Sequence, residues 1–195
     1  MRIPGASQRP TRIVPMGFLA AIAVGTVLLM LPVSSAQGES TLLTDAAFTA
    51  VSATCLTGLT VVDTATHWSP FGLVMILLMM QLGGLGIMTA ATLLILLISR
   101  RLGVKTRLIA ERESKALSFG NVRQVIVRIA LLFISFEAVL AALLTVRFVI
   151  GYDYGWGRAL WYGVFYSVSA LNNAGFALYS DSLEGFVTDF WICFR

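Results

Sequence analysis

Most of the residues in this sequence that could do chemistry would act through their backbone. Two stretches, Ala46–Val62 and Ala159–Ser180, are apolar but broken by small hydroxyl, amide and glycine residues. The first contains Thr49, Ser52, Thr54, Thr57, Gly58 and Thr60; the second contains Ser167, Ser169, Asn172, Asn173 and Gly175. Such stretches are too polar for a helix facing lipid and too apolar for a solvated loop. Non-helical backbone at membrane depth is tolerated only inside protein or beside water. In that setting its carbonyl oxygens can replace the hydration shell of a cation. Glycine at 58 and 175 admits backbone angles and close approach that a side chain forbids. The candidate cation-binding residues are therefore Leu56, Thr57 and Gly58 in the first stretch and Asn173, Ala174 and Gly175 in the second. For a single glycine, simple helix packing is the better reading. Two glycines at equivalent places in a repeat favour the ion-binding one.

The repeat is visible at a shift of 117 positions. Phe48, Val51, Ser52, Ala53 and Gly58 then fall on Phe165, Val168, Ser169, Ala170 and Gly175, and the preceding apolar run Ile13–Val33 falls on Ala130–Ile150. Self-similarity at a fixed period marks a repeated structural unit. Within the first stretch, Thr44 is placed to cap a helix and Asp45 suits its first turn. A helix from Asp45 to about Thr54 would be ~15 Å long, about half the thickness of a bilayer. Its C-terminal end carries partial negative charge and would favour a cation near the membrane centre.

The elements that must hold these stretches are long and apolar. The chain is 57% hydrophobic and only 12% charged, with mean hydropathy +0.84; soluble domains carry about 25% charged residues. Ile13–Val33 and Phe71–Ile98 contain no charged residue, and Ile129–Ile150 contains only Glu137 and Arg147. Each exceeds the roughly 20 residues that a helix needs to span hydrocarbon. The first has a rival reading as a signal peptide, with Arg2, Arg9 and Arg12 before it and Ser34-Ser35-Ala36 after it. Its length and the further spans downstream favour a membrane anchor. The expected fold is an all-α membrane protein of span–pore loop–span units, with one full unit and most of a second.

Charge orients these units. Residues 1–12 hold Arg2, Arg9 and Arg12, and the segment 100–128 holds eight more basic residues, so the two together carry 11 of the 14. The flanks of the two polar stretches carry Glu39, Asp45, Asp63, Asp153, Asp181, Glu184 and Asp189 against Arg158 alone. The positive-inside rule makes the N-terminus and the central linker cytoplasmic. The resulting domains are a cytoplasmic tail at 1–12, a first unit at 13–99, a cytoplasmic linker at 100–128 and a second unit at 129–195 that stops before its last span.

Several single residues invite a role. Glu137 is a carboxylate within a span, where charge is costly and usually functional; it pairs with a basic residue, lines a vestibule or bonds between packed helices. Arg147 lies where it can snorkel. Gly83, Gly84 and Gly86 most simply allow close helix contact, with a hinge as the alternative. His67 reads as an interfacial residue. Trp68, Trp156, Trp161, Tyr152 and Tyr154 are placed for an aromatic belt. Cys55 and Cys193 are too far apart in sequence for a redox or metal motif. Enzyme chemistry would need a nucleophile or clustered acid–base groups, and the spans offer Glu137 alone.

Three motifs, in order, resemble a known family. They are Thr54-Cys55-Leu56-Thr57-Gly58-Leu59-Thr60-Val61-Val62-Asp63, then Gln81-Leu82-Gly83-Gly84-Leu85-Gly86-Ile87, then Asn172-Asn173-Ala174-Gly175-Phe176. Together they resemble the Trk/Ktr/HKT superfamily of potassium transporters, its bacterial TrkH/KtrB-like pore subunits in particular. The resemblance implies four span–pore–span units around a pseudo-fourfold axis, with one filter glycine in each. It implies potassium as the transported ion, no covalent cofactor, and nucleotide binding only on a cytoplasmic regulatory subunit of the TrkA/KtrA kind. In the plant branch a serine at the first filter glycine accompanies sodium permeation, so Gly58 points to potassium. The implied setting is the cell membrane, multi-pass, with lipid, a second copy of the chain and the regulatory subunit as partners, and no nucleic acid. The linker 100–128 would be either a solvated, lipid-facing connector or the docking surface for that subunit. The 195 residues would hold one full unit and most of a second out of four, so the alternatives are a truncated fragment without transport of its own, or a sodium-permeable relative.

The charge asymmetry makes a direct prediction. With the native cysteines replaced, a membrane-impermeant thiol reagent on intact cells should label Ser182→Cys and spare Ser114→Cys. The reverse pattern overturns the orientation.

Overall fold

A computed structural model describes residues 10–101, 122–182 and 184–186. Residues 1–9 of the expected cytoplasmic tail, most of the central linker and the end of the expected second unit lie outside the described residues. The secondary structure described is helical. Helix α1 covers Pro10–Met30 and α2 covers Leu43–Cys55. Short helix α3 covers Thr64–His67 and long α4 covers Pro70–Arg101. Helix α5 covers Val122–Tyr152 and α6 covers Trp156–Leu171. Among the described residues, Pro70–Thr89 and Val127–Tyr152 are long and apolar enough to cross a bilayer. This is an all-α membrane fold.

Local chemistry sets the helix ends. Helix α1 stops before Pro32, where Leu31 is extended at φ −65°, ψ 140°, as a residue preceding proline prefers. Pro70 opens α4, where a missing N–H costs nothing. Ser69 precedes it, and its Oγ accepts from the Gly72 N–H at 3.2 Å while donating to the Val33 carbonyl at 2.6 Å. One serine thus caps α4 and ties it to the end of α1.

Thr44 is not the cap of α2. The helix starts at Leu43, with Leu42 before it making no side-chain cap bond. The amides of Asp45 and Ala46 both donate to the Leu42 carbonyl. Just upstream, the Thr41 hydroxyl is bonded to the His67 ring at 3.1 Å. The chain is clamped there, so the helix begins at once and Thr44 falls inside its first turn, where its hydroxyl donates to Asp45 at 3.2 Å.

Helices α1, α2 and α4 pack on one another, α5 packs along α6, and α4 meets α6 to join the two groups. Small residues line the contacts: Ala46, Ala50 and Ala53 of α2 are fully buried. A Cβ at Gly83 would strike the Thr54 carbonyl, and one at Gly163 would strike Thr145. Gly86 sits against the Phe18 ring. The close-contact expectation for these α4 glycines therefore holds. Phe148 of α5 is buried among Tyr152, Tyr154, Tyr162, Tyr166 and Phe186. Apolar residues of α5 such as Leu131, Leu132, Phe136, Val139 and Leu143 are exposed, as lipid-facing residues are.

Trp68 departs from the expected belt. It is 3% exposed and belongs to the core, because Ser35 pairs with it in an isolated bridge that draws it under the end of α1. Among the described tryptophans, Trp156 is the exposed one. Arg147 extends toward the C-terminal end of its helix over Gly151, with its guanidinium 5.8 Å from the Tyr152 ring.

The chain leaves this end of the bundle after Ser35 and returns beside it at Trp68. The Ala36 N–H donates to the His67 carbonyl at 2.9 Å, and the Ser69 N–H donates to the Ser34 carbonyl at 2.9 Å. Residues between them therefore form a loop with its two ends fastened together. The second stretch is fastened likewise, with the Tyr154 and Tyr179 hydroxyls 2.9 Å apart. Asp63 bonds the two loops to each other: its carboxylate accepts from Ser180 Oγ at 2.5 Å, from Thr66 Oγ1 at 2.8 Å and from the Ala65 N–H at 3.0 Å.

This packing makes two predictions. Gly83→Ala should destabilise the protein by about 1–3 kcal/mol through overpacking, read as a lowered thermal midpoint in lipid nanodiscs. Gly17→Ala is the control, because nothing lies within 4 Å of its added carbon. The second concerns acid. The Ser180 bond, then those from Thr66 and Ala65, outweigh desolvation and hold the Asp63 carboxyl below its ordinary range. A depressed carboxylate contributes stability above that range and loses it as pH falls through the folded value. Ser180→Ala should therefore melt earlier than the parent at neutral pH, with the gap closing at acid pH. A gap independent of pH would show that Asp63 is not the group involved.

Candidate functional site

Both helices that enter the loops end in the same way. At the end of α2 the Leu56 backbone is left-handed at φ 59°, and the amides of Leu56 and Thr57 turn back onto the Ser52 carbonyl, the latter at 3.0 Å. After α6, Asn173 is left-handed at φ 53°, its N–H donates to Ala170 at 3.0 Å, and the Ala174 N–H donates to Ser169 at 2.8 Å. The second is a Schellman closure, and its six-to-one bond recurs in the first. Asparagine tolerates the left-handed region; for leucine it costs roughly 1–2 kcal/mol. The Leu56 side chain packs against α4, 3.3 Å from where a Cβ of Gly83 would sit, and that packing offsets the cost.

Two residues further on, Gly58 and Gly175 are again left-handed, at φ 70° and 76°. Side-chain hydroxyls hold the adjoining backbone. Thr57 Oγ1 donates to Ser52 Oγ at 3.0 Å, and Ser169 Oγ donates to the Phe176 carbonyl at 2.8 Å. Ser52 and Ser169 are 117 apart and are both buried. Each secures its own loop, though by different bonds.

The loops meet at their glycines. A Cβ on Gly58 would lie 2.8 Å from the Ala174 carbonyl oxygen and 3.1 Å from Gly175 Cα; one on Gly175 would lie 3.1 Å from Gly58 Cα. Asp63 and Ser180 meet a few residues later. Both contacts join positions 117 apart, so the two segments run side by side in the same direction. Of the six expected residues, Gly58, Ala174 and Gly175 make this junction, and Leu56, Thr57 and Asn173 adjoin them in sequence. Thr57, Asn173 and Gly175 are exposed there, Leu56 and Gly58 are half-buried and Ala174 is buried. The donors on offer are main-chain carbonyls and hydroxyls, which suit a hard cation.

Glu137 is not among them. It is buried behind the second loop, between α4, α5 and α6. Gln81 Nε2 donates to Glu137 Oε2 at 2.8 Å, and Asn172 Nδ2 reaches Glu137 Oε1 at 3.3 Å, Gln81 Oε1 at 3.4 Å and the Val168 carbonyl at 2.8 Å. Ser167 Oγ donates to the Glu137 main-chain carbonyl at 2.7 Å. Of the three readings open for Glu137, the bond between packed helices is the one observed.

An aromatic group backs the returning part of the second loop. The Leu178 N–H donates to the Tyr166 hydroxyl at 2.9 Å, and Tyr166 stacks on Tyr179. Burial first, and then the bond to Tyr154, push the Tyr179 phenol up. It stays protonated and able to donate. Arg158 lies 4.6 Å from the Tyr154 ring.

Sequence reasoning did not single out Gln81, Asn172, Ser52, Ser169, Tyr166 or Ser180 as site residues. The two serines carried a signal, because they are identities of the repeat. Asp63 and Ser180 are equivalent in position but not in type, so the repeat does not reveal their bond.

Comparison with known proteins places this geometry. Residues 1–194 match the family described as TrkH, cation transport protein. The chain is 39% identical over 180 residues to the Ktr system potassium uptake protein B of Bacillus subtilis, covering 92% of this chain and 40% of that protein. It is 39% identical over 178 residues to the protein of the same name from Vibrio alginolyticus, covering 91% of this chain and 38% of that one. It is 34% identical over 174 residues to the potassium/sodium uptake protein NtpJ of Enterococcus hirae, covering 89% of this chain and 38% of that one. The chain thus spans 38–40% of the length of these relatives. With the match running over nearly every residue, the chain belongs to the TrkH family of cation transport proteins, a family of transporters and not of enzymes.

Proposed function

We propose that this chain forms part of the ion pathway of a potassium uptake system, and that residues 56–58 and 173–175 supply two sides of its selectivity filter. The observation that carries this is the meeting of Gly58 and Gly175, both left-handed, with each blocking any side chain on the other. Equivalent positions touch at the same level when repeated units surround a common axis. Backbone brought to that axis without side chains presents carbonyl oxygens to a dehydrated ion.

The names of the relatives support potassium as the cargo. Two are potassium uptake proteins and one is a potassium/sodium uptake protein, so sodium permeation is the second reading. Four units around the axis, two of them from residues 13–99 and 129–195, would complete the filter. The basic N-terminus and linker 100–128 face the cytoplasm in this reading, and the loops enter from the other side. The system would work in the cell membrane with a second copy of the chain and a cytoplasmic nucleotide-binding subunit. The naming of several relatives as parts of a Ktr system supports a multi-subunit assembly.

The test uses a chimera carrying this chain in place of the matching stretch of the Bacillus subtilis relative, expressed in cells that lack potassium uptake. Gly58→Ser should lower the preference for potassium over sodium by about tenfold, the equivalent of 1.4 kcal/mol between two ions. Gly175→Ser should do the same, because the positions are equivalent. Parental uptake of both ions by both variants would remove the filter assignment.

A further inference from the structure

We infer that Gln81, Glu137 and Asn172 form a ring that positions the second loop against the first, and that Glu137 serves it as a double acceptor, not as a ligand for the passing cation. The inference rests on the filter reading above and assigns the residues that set its geometry.

The three side chains come from α4, α5 and the turn after α6. Glu137 and Asn172 are 8% and 6% exposed. A carboxylate has no proton to give, so it fixes the direction of every bond in the ring. Gln81 must turn its amide nitrogen to Glu137, which leaves Gln81 Oε1 to accept from Asn172. Asn172 must turn its nitrogen to the same pair and to Val168. Both oxygens of Glu137 are thereby directed at amides. Fixing Asn172 also fixes the turn beyond it, since Asn173 and Gly175 are one and three residues on.

Helix α4 makes the ring matter for both loops. Gly83 touches the Thr54 carbonyl at the end of α2, and the next residue, Gly84, touches the Asn172 side chain. A Cβ at either position would collide. Gln81 lies three residues before Gly84, on the same face of the helix. Two neighbouring glycines of α4 thus bear on the two loop-entry turns, and the ring binds α4 to the second of them. Asn172 Oδ1 is buried against Gly84 and lacks a hydrogen-bond partner, which shows that the contact with α4 and the ring, and not a full set of bonds, decides how that amide is turned. The spacing between Gly58 and Gly175 is then set by α4 and the ring.

The chimera separates this positioning role from a role for charge. Glu137→Gln keeps the shape and both bonds to residue 137, accepting from Asn172 and donating to Gln81 once the Gln81 amide turns over, and gives up only the 3.4 Å bond from Asn172 to Gln81. Its potassium-over-sodium preference should stay within about twofold of the parent, well under the tenfold that 1.4 kcal/mol represents. Glu137→Leu takes the acceptor from the Gln81 amide nitrogen and one of the three acceptors from Asn172, and its preference should fall by about tenfold, in line with a polar group left unsatisfied. Both are measured per amount of protein in the membrane. If Glu137→Leu does not reach the membrane, Gln81→Met opens the ring at similar length and should show the same loss. A loss in Glu137→Gln as large as in Glu137→Leu or Gln81→Met would mean that charge, not position, matters, and the inference fails. Parental preference in the ring-opening variants, with Gly175→Ser altered, also defeats it while leaving the filter standing. Silence of Gly58→Ser and Gly175→Ser defeats the filter and the ring together.

Discussion

Backbone that leaves a helix among apolar neighbours has no water to bond, so its amides and carbonyls must find partners within the protein or face a wet space. In the proposed reading, residues 56–63 and 172–180 are such backbone, and much of it finds partners in the surrounding structure. The Schellman-type turns return the first free amides to the helix they have just left. Buried hydroxyls of Ser169 and Tyr166 take up further backbone groups of the second loop, and Ser52 accepts from the Thr57 hydroxyl in the first. The fastening of Ala36 to His67 and of Tyr154 to Tyr179 closes each loop at its ends. In the proposed reading, the groups left over at the junction of the loops are the ones available to an ion.

Close approach is the second requirement, and it depends on missing side chains. Helix α4 can lie against both loop-entry turns because Gly83 and Gly84 are adjacent and bare. The loops can meet because Gly58 and Gly175 face each other. Membrane helices gain little from apolar burial against one another and associate through tight packing and polar bonds instead. Here the two modes are combined: the glycines bring the backbones together, and the ring of Gln81, Glu137 and Asn172 keeps them from sliding. The carboxylate among neutral amides suits that purpose, because an acceptor without a proton leaves the amides one way to turn.

The all-α membrane fold, the apolar spans around Pro70–Thr89 and Val127–Tyr152 and the glycine-centred turns at 58 and 175 were legible in the sequence. They depend on composition and spacing within one segment, and a helix or a glycine-centred turn arises from its own residues whatever lies beside it. Position along the chain was less secure at the edges. Thr44 has the chemistry of a cap, but the clamp between Thr41 and His67 starts α2 earlier. Trp68 has the chemistry of an interfacial residue, but the bridge to Ser35 draws it into the core.

Contacts between segments were decided by the tertiary structure alone. Glu137 could have lined a water-filled space or bonded between helices, and its neighbours in sequence are the same in either case. Gln81 lies 56 residues from it and Asn172 lies 35 away, so their meeting depends on how α4, α5 and α6 pack. The bond from Ser180 to Asp63 is of the same kind, since no property of either residue indicates the other. The sequence determined that this chain has two polar, glycine-centred loops held between apolar helices, because those features are written in the order of its residues. Which oxygens face the junction and which groups brace it were determined only when the helices came together, because hydrogen bonds between distant residues exist only once packing has brought donor and acceptor within about 3 Å.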